Sequence, residues 1–269
     1  MFLADHHTHS KYSADSSEEA EKLCLAAMSK GLSSIAITDH FDCDYDEFES
    51  PMFFDVEKRR EEILSLKDKY VGKIDVLYGV ELGQPHSRPE IAKKVLADGK
   101  FDFVIGSLHN LRNLPDFHYF DYTKVKGDFL HVLIKKTIGE LMEVASFGGI
   151  DTLAHITYIH RYVKASGNDV NLTRYFDLFE KLYDILIKSG ISLEINTSTL
   201  WKGYGFSMPS EELLKLYYEC GGRLITVGSD AHSAENVGGC IEDAYTVLKR
   251  IGFNSVTAVV CGEKTQIKI

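Results

Sequence analysis

Six of the seven short apolar runs in this chain end, within a residue or two, in a His, Asp or Glu. The first leads into Asp5-His6-His7-Thr8-His9 and the last into Asp230-Ala231-His232. Between them come Asp39-His40 after Ser34 to Ile37, Glu81 after Val76 to Tyr78, His109 after Phe103 to Ile105, and His155 after Thr152-Leu153. Buried parallel strands read as continuous apolar runs, and in a barrel of βα units all of their C-terminal ends meet at one mouth. A fold that gathers these ends would place many metal-competent side chains together.

Apolar runs alternate with amphipathic segments along the whole chain. Strands are expected near Phe2 to Asp5, Ser33 to Thr38, Ile74 to Leu82, Phe101 to Ser107, Ile150 to Ala154, Ile191 to Ile195 and Arg223 to Gly228. Helical periodicity runs over Glu18 to Lys30, Val56 to Tyr70, Pro89 to Ala97, Phe129 to Phe147, Leu172 to Lys188, Ser210 to Cys220 and Ala234 to Ile251. Seven βα units predict an α/β barrel of TIM-barrel type, formed as a single domain over residues 1–269. A doubly wound open sheet is the alternative, but there only the strands beside the switch point need carry chemistry. Loops expected at Phe41 to Phe54, Asn110 to Gly127, Ile156 to Val170 and Asn196 to Pro209 would overhang the same mouth.

His7 and His9 stand two apart on an extended segment, so both rings face one side and can grip one ion. His40, Glu81, His109, His155, Asp230 and His232 hold equivalent places on other strands. Imidazole and carboxylate donors without thiolate favour zinc, manganese or iron over calcium. The five cysteines are scattered with no CxxC pair and are expected to be reduced thiols. The net charge of −10, from 40 acidic against 30 basic residues, opposes long nucleic acid as a partner and leaves small charged substrates open. No apolar run approaches the ~20 residues that cross a bilayer, and the opening Met1 to Asp5 turns acidic too soon for a signal peptide, so a cytoplasmic protein is expected.

These motifs resemble those of the polymerase and histidinol phosphatase (PHP) superfamily, over essentially the whole chain. The likeness rests on D-x-H-x-H at Asp5 to His9, Thr38-Asp39-His40, the Glu81 strand, His109, His155 and D-x-H at Asp230 to His232. It implies a distorted (β/α)7 barrel with three divalent ions. Carried over position by position, it implies one ion on His7, His9, Glu81 and Asp230, a second on Glu81, His109 and His155, and a third on Asp15, His40 and His232. Many relatives resemble one another in having histidine where this chain has Asp15, and the added negative charge makes the third site harder.

Within the superfamily the chain is most similar to the histidinol-phosphate phosphatases of histidine biosynthesis. The supporting segments are His6 to Ser10 with Tyr12 to Asp15, Gly79 to Gly83, Gly106 to His109 and Phe120-Asp121. The likeness implies a phosphomonoesterase in which a hydroxide bridging the metals attacks phosphorus. Arg161 is then the candidate to grip the phosphoryl group, with Lys202 and Arg112 as weaker ones. His160 and His118 are the candidate general acids, and Asp39 is expected to orient a ligand histidine from behind. An acidic and aromatic rim, including Asp42, Asp44, Asp46, Glu47, Glu49, Phe53, Tyr119, Phe120, Tyr122 and Trp201, would suit a substrate carrying ammonium and imidazole, with Asp42, Trp201 and Lys202 as contacts. The alternatives are a related phosphoesterase acting on nucleotides or short nucleic acid ends, and a metal-stabilised module without activity.

Overall fold

The computed structural model describes residues 1–44, 56–125, 127–168, 170–260 and 262–269. The expected rim residues Asp46, Glu47, Glu49 and Phe53, and the thiol of Cys261, lie outside the described residues; Cys24, Cys43, Cys220 and Cys240 are free.

Each expected strand forms. They are β1 (Ala4–Thr8), β2 (Ser34–Ile37) with its continuation β3 (His40–Asp42), β4 (Asp75–Gly83), β5 (Phe103–Ser107), β6 (Thr152–Leu153), β7 (Ser192–Asn196) and β8 (Ile225–Gly228). All neighbours pair in parallel, in the order β1-β2-β4-β5-β6-β7-β8. β3 pairs with β4 in the register already set by β2, so His40 and Asp42 belong to a strand and not to the loop expected from Phe41 onward. The ring nearly closes where β8 runs out beside β1. Asp230 N donates to His7 O at 2.8 Å, His9 N donates to Ala231 O at 2.8 Å, and Thr8 bridges Ala231 in parallel. Gly228 permits this approach, because a Cβ there would stand 2.3 Å from that of His7. An open doubly wound sheet would leave these edges apart.

Strand alternation divides the interior into a floor and a mouth. On β4, Leu77, Gly79 and Glu81 share one face. Leu77 joins Ala36, Phe103, Ile105 and Ala154 in a fully buried apolar cluster, while Glu81, four residues further on, opens the polar layer. A C-terminal antiparallel hairpin of β9 (Ser255–Val260) and β10 (Glu263–Lys268) adds Val259 to that floor. Nothing in the periodicity places an element after Ile251, so this hairpin is new.

The outer helices fall close to the expected segments, at Ala20–Ser29, Val56–Lys69, Pro89–Gly99, Asp128–Phe147, Phe176–Ser189, Glu211–Glu219 and Ile241–Ile251. Two differences bear on the site. The segment from Ala234 is interrupted before Ile241, where Gly238 and Cys240 take φ of 70° and 56° and Gly238 N donates to the buried Asp5 carboxylate at 2.7 Å. The expected loop after His155 contains the helix Tyr158–Ala165, whose Ile159 and Val163 sit one turn apart in the core. Among the described residues no helix is long and apolar enough to cross a membrane.

Candidate metal centre

Glu81, fully buried at the mouth end of β4, is the hub of the site. Its Oε1 lies 3.0 Å from His109 Nε2 and 2.9 Å from His155 Nε2. Its Oε2 lies 3.1 Å from His7 Nε2, 3.4 Å from His9 Nε2 and 2.9 Å from His40 Nδ1. Asp230 Oδ1 sits 3.4 Å from His9 Nε2 and 3.9 Å from His7 Nε2. His232 stacks on His9 with ring centroids 4.1 Å apart, and its Nε2 lies 2.9 Å from Asp15 Oδ2. Asp15 also faces His40 Nε2 at 3.7 Å. Six strand ends, with Asp15 in the loop after the first, therefore bring all nine expected ligand positions together.

The arrangement is not satisfied by the protein alone. Five imidazole nitrogens crowd one carboxylate, and His9 Nε2, His40 Nδ1 and His232 Nε2 are buried without a hydrogen bond of acceptable geometry. If neutral, such nitrogens turn lone pairs on carboxylate oxygens; if protonated, they set several positive charges within ring contact. Cations between them remove both difficulties. Several donor triads have ligand atoms within 4.8 Å of one another and can hold ions: His7, His9 and Glu81; His7, His155 and Asp230; Glu81, His109 and His155; and His9, His40 and His232. A further triad of His40, Asp42 and His109 meets the same distance.

Electrostatics at the site follows from burial and mutual proximity. Burial pushes the Glu81 and Asp230 carboxyls up, but the facing imidazoles outweigh it and hold both well below the usual carboxylate range. His9 is pushed down to about 3, by burial first and then by His232 and His40, which keeps its ring neutral with a lone pair to offer. His155 and Asp230 also take φ of 28° and 55°, a region in which backbone strain tends to concentrate at functional sites.

Four supporting residues escaped the sequence reading or act through contacts it did not specify. Glu194 of β7 takes the His7 Nδ1 proton at 2.6 Å through one oxygen and the His155 N–H at 3.0 Å through the other. Asp42 is not a rim contact: its side chain is largely buried and bonded to His109 Nδ1 at 3.0 Å, because it lies on β3. Asp39 touches no ligand ring. It accepts from Ser10 N, Ser13 Oγ and Arg59 Nε, and Arg59 is itself fully buried, donating also to Ile37 O and Gly79 O.

The helix Tyr158–Ala165 sorts the remaining candidates by face. Tyr158 rests against the His109 and His155 rings. The Arg161 guanidinium lies over the Tyr158 and Tyr162 rings, 4.8 and 4.6 Å from their centroids, and donates to the Tyr162 hydroxyl. His160, about 200° round the helix from Tyr158, lines a small apolar cavity with Ile134, Ile138, Leu172 and Phe179. His118 stays at the rim, its ring 5.7 Å from that of Tyr162, with no described contact to the ligand cluster. Arg112 is tied to Glu143 at 2.6 Å and to His86 O on the exterior, which removes it from the anion-binding candidates.

Lys202 stands over the Trp201 ring at 4.7 Å, and Trp201 Nε1 donates to Ser229 O, beside Asp230. Burial pushes the Lys202 amine down, while Asp230 and Asp15 draw it up and Arg161 opposes them, so both cations face the same end of the ligand cluster. Among the described residues neither has an ion-pair partner. Trp201 is thus a support for the Asp230 loop and for Lys202.

The PHP domain family model matches residues 5–198. A protein named "Probable histidinol-phosphatase" in Thermotoga maritima is 32% identical over 93% of both chains, and another of that name in Clostridium acetobutylicum is 31% identical over 94% of this chain and 95% of its own. The crystal structure of histidinol phosphate phosphatase from Lactococcus lactis subsp. lactis, solved with zinc, L-histidinol and phosphate, superposes with a TM-score of 0.83 at 24% identity, over 98% of each chain. At that identity the likeness speaks for the fold.

Proposed function

Because this chain belongs to the PHP domain family, we propose that it is a histidinol-phosphatase, hydrolysing L-histidinol phosphate to L-histidinol and phosphate with divalent metal ions. The observation that carries the reading is Glu81, a buried carboxylate shared by five imidazoles, with the full ligand set intact around it.

The proposed holders are His7, His9, Glu81 and Asp230 for one ion, Glu81, His109 and His155 for a second, and Asp15, His40 and His232 for a third. The nitrogen and oxygen donors suit zinc, manganese or iron. When bound, such ions polarise phosphoryl oxygens and lower the pKa of water toward neutrality. The protein side of the chemistry is positioning. Glu81 and Asp230 hold the donors in one layer, the Glu194 and Asp42 carboxylates turn the Nε2 lone pairs of His7 and His109 inward, and Arg161 and Lys202 offer positive charge to the phosphate. Arg161 is held flat by two tyrosines, so it meets the anion with little entropy left to lose.

Steady-state phosphate release by zinc- or manganese-loaded protein tests the assignment. A kcat/KM for histidinol phosphate above ~10⁴ M⁻¹s⁻¹ and far above a nucleotide panel is expected. Equal or better turnover of nucleotides would keep the site and overturn the substrate. Arg161→Ala is expected to lower kcat/KM by ~10- to 1000-fold. An unchanged value would move the phosphate grip to Lys202.

A further inference from the structure

We infer that Ser13, held by Asp39, fixes the tautomer of His9 so that its Nε2 lone pair faces the metal centre. The inference rests on the reading of His9 as a metal ligand and adds the device that makes it one. His7 and His109 need no such device, since each Nδ1 meets a carboxylate oxygen that only accepts. His9 Nδ1 meets a serine hydroxyl, Ser13 Oγ, at 3.0 Å. A hydroxyl either donates or accepts, so this contact alone leaves the ring free to carry its proton on either nitrogen.

The neighbours of Ser13 remove the ambiguity. Its oxygen has one proton to give and two lone pairs to offer. The backbone N–H of His40, which can only donate, points at Ser13 Oγ from 3.1 Å and takes one lone pair. Asp39 Oδ1, 3.1 Å away, takes the proton. Both Asp39 oxygens already face obligate donors, Ser10 N–H at 2.6 Å and Arg59 Nε–H at 2.6 Å, so neither has room for a proton of its own. The remaining lone pair of Ser13 faces His9 Nδ1, which must therefore donate. Nε2 is left bare toward Glu81 and Asp230, each 3.4 Å away. His9, Ser10, Ser13, Asp39 and Arg59 are all fully buried, so water offers no competing partner around the serine. Ser13 and Asp39 are thus positioning residues, acting on the metal through His9.

Two measurements on zinc-loaded protein test this. In proton NMR, His9 should show a slowly exchanging Nδ1–H resonance that Ser13→Ala loses; a wild-type His9 with no Nδ1 proton would overturn the direction of the bond. In dialysis against chelator-buffered zinc, with zinc per chain counted by mass spectrometry, Ser13→Ala should bind one ion ~10- to 100-fold more weakly. Wild-type zinc affinity in Ser13→Ala, alongside a lost ion in His9→Ala, would overturn the inference while leaving the ligand reading intact. Full zinc content in His9→Ala would instead strike the ligand reading itself.

Discussion

Glu81→Gln is expected to reduce phosphate release from histidinol phosphate by at least ~10³-fold, with at least one metal ion lost per chain and the circular dichroism of the barrel retained. The side chain keeps its shape, so the apolar layer below it, from Leu77 to Phe103, is undisturbed. What changes is the charge at the point where His7, His9, His40, His109 and His155 converge. On the proposed ligand set, a neutral amide would hold dications far less well than a carboxylate, and its N–H₂ would turn donors toward at least two of the imidazoles that a metal would need as lone pairs. Metal content and turnover should therefore fall together. Near-normal turnover with full metal content would show that Glu81 merely packs among the histidines, and would remove the basis of the proposed centre.

Much of this centre is written locally in the chain, because a ligand at the end of a buried strand leaves a short signature. An apolar run followed at once by His or Asp identifies His7, His9, His40, His109, His155, Asp230 and His232 without knowledge of the fold. Glu194 leaves a weaker trace, since it stands within β7, flanked by Leu193 and Ile195, and not beyond its end. A lone acid inside an apolar strand was the available signal. Arg59 leaves less: it lies in Lys58-Arg59-Arg60, which reads as a solvated helix face until β2 and β4 close over it. Arg161 and His160 could not be ranked because Tyr158–Ala165 offers only Ile159 and Val163 as core positions, too few for its period to show. Once the helix exists, the two adjacent residues stand about 100° apart, Arg161 over the Tyr158 and Tyr162 rings and His160 at the apolar cavity.

Arg59→Met should destabilise the folded protein by about 3–5 kcal/mol at pH 7. For a chain near this size that corresponds to a drop in Tm of roughly 6–20 °C. The cause is not lost volume, which methionine largely restores, but the stranding of Asp39. Both groups are fully buried, 2.6 Å apart, and Arg59 also satisfies the carbonyls of Ile37 and Gly79. Burial pushes the Asp39 carboxyl up, and the Arg59 charge and hydrogen bond, with help from Ser10 and His9, bring it below the usual range. A depressed carboxyl contributes stability that is present above its unfolded value and is lost as pH falls through the folded one. Without Arg59 the burial effect prevails and the folded carboxyl rises above its unfolded value, so the penalty of holding Asp39 charged is relieved as pH falls. The stability gap between wild type and Arg59→Met should accordingly be widest at pH 7 and narrow toward pH 4, as read by urea denaturation at both. A gap that stays constant with pH would assign the loss to packing and the two carbonyls alone, and would deny Asp39 its place as the charged anchor of the His9 loop.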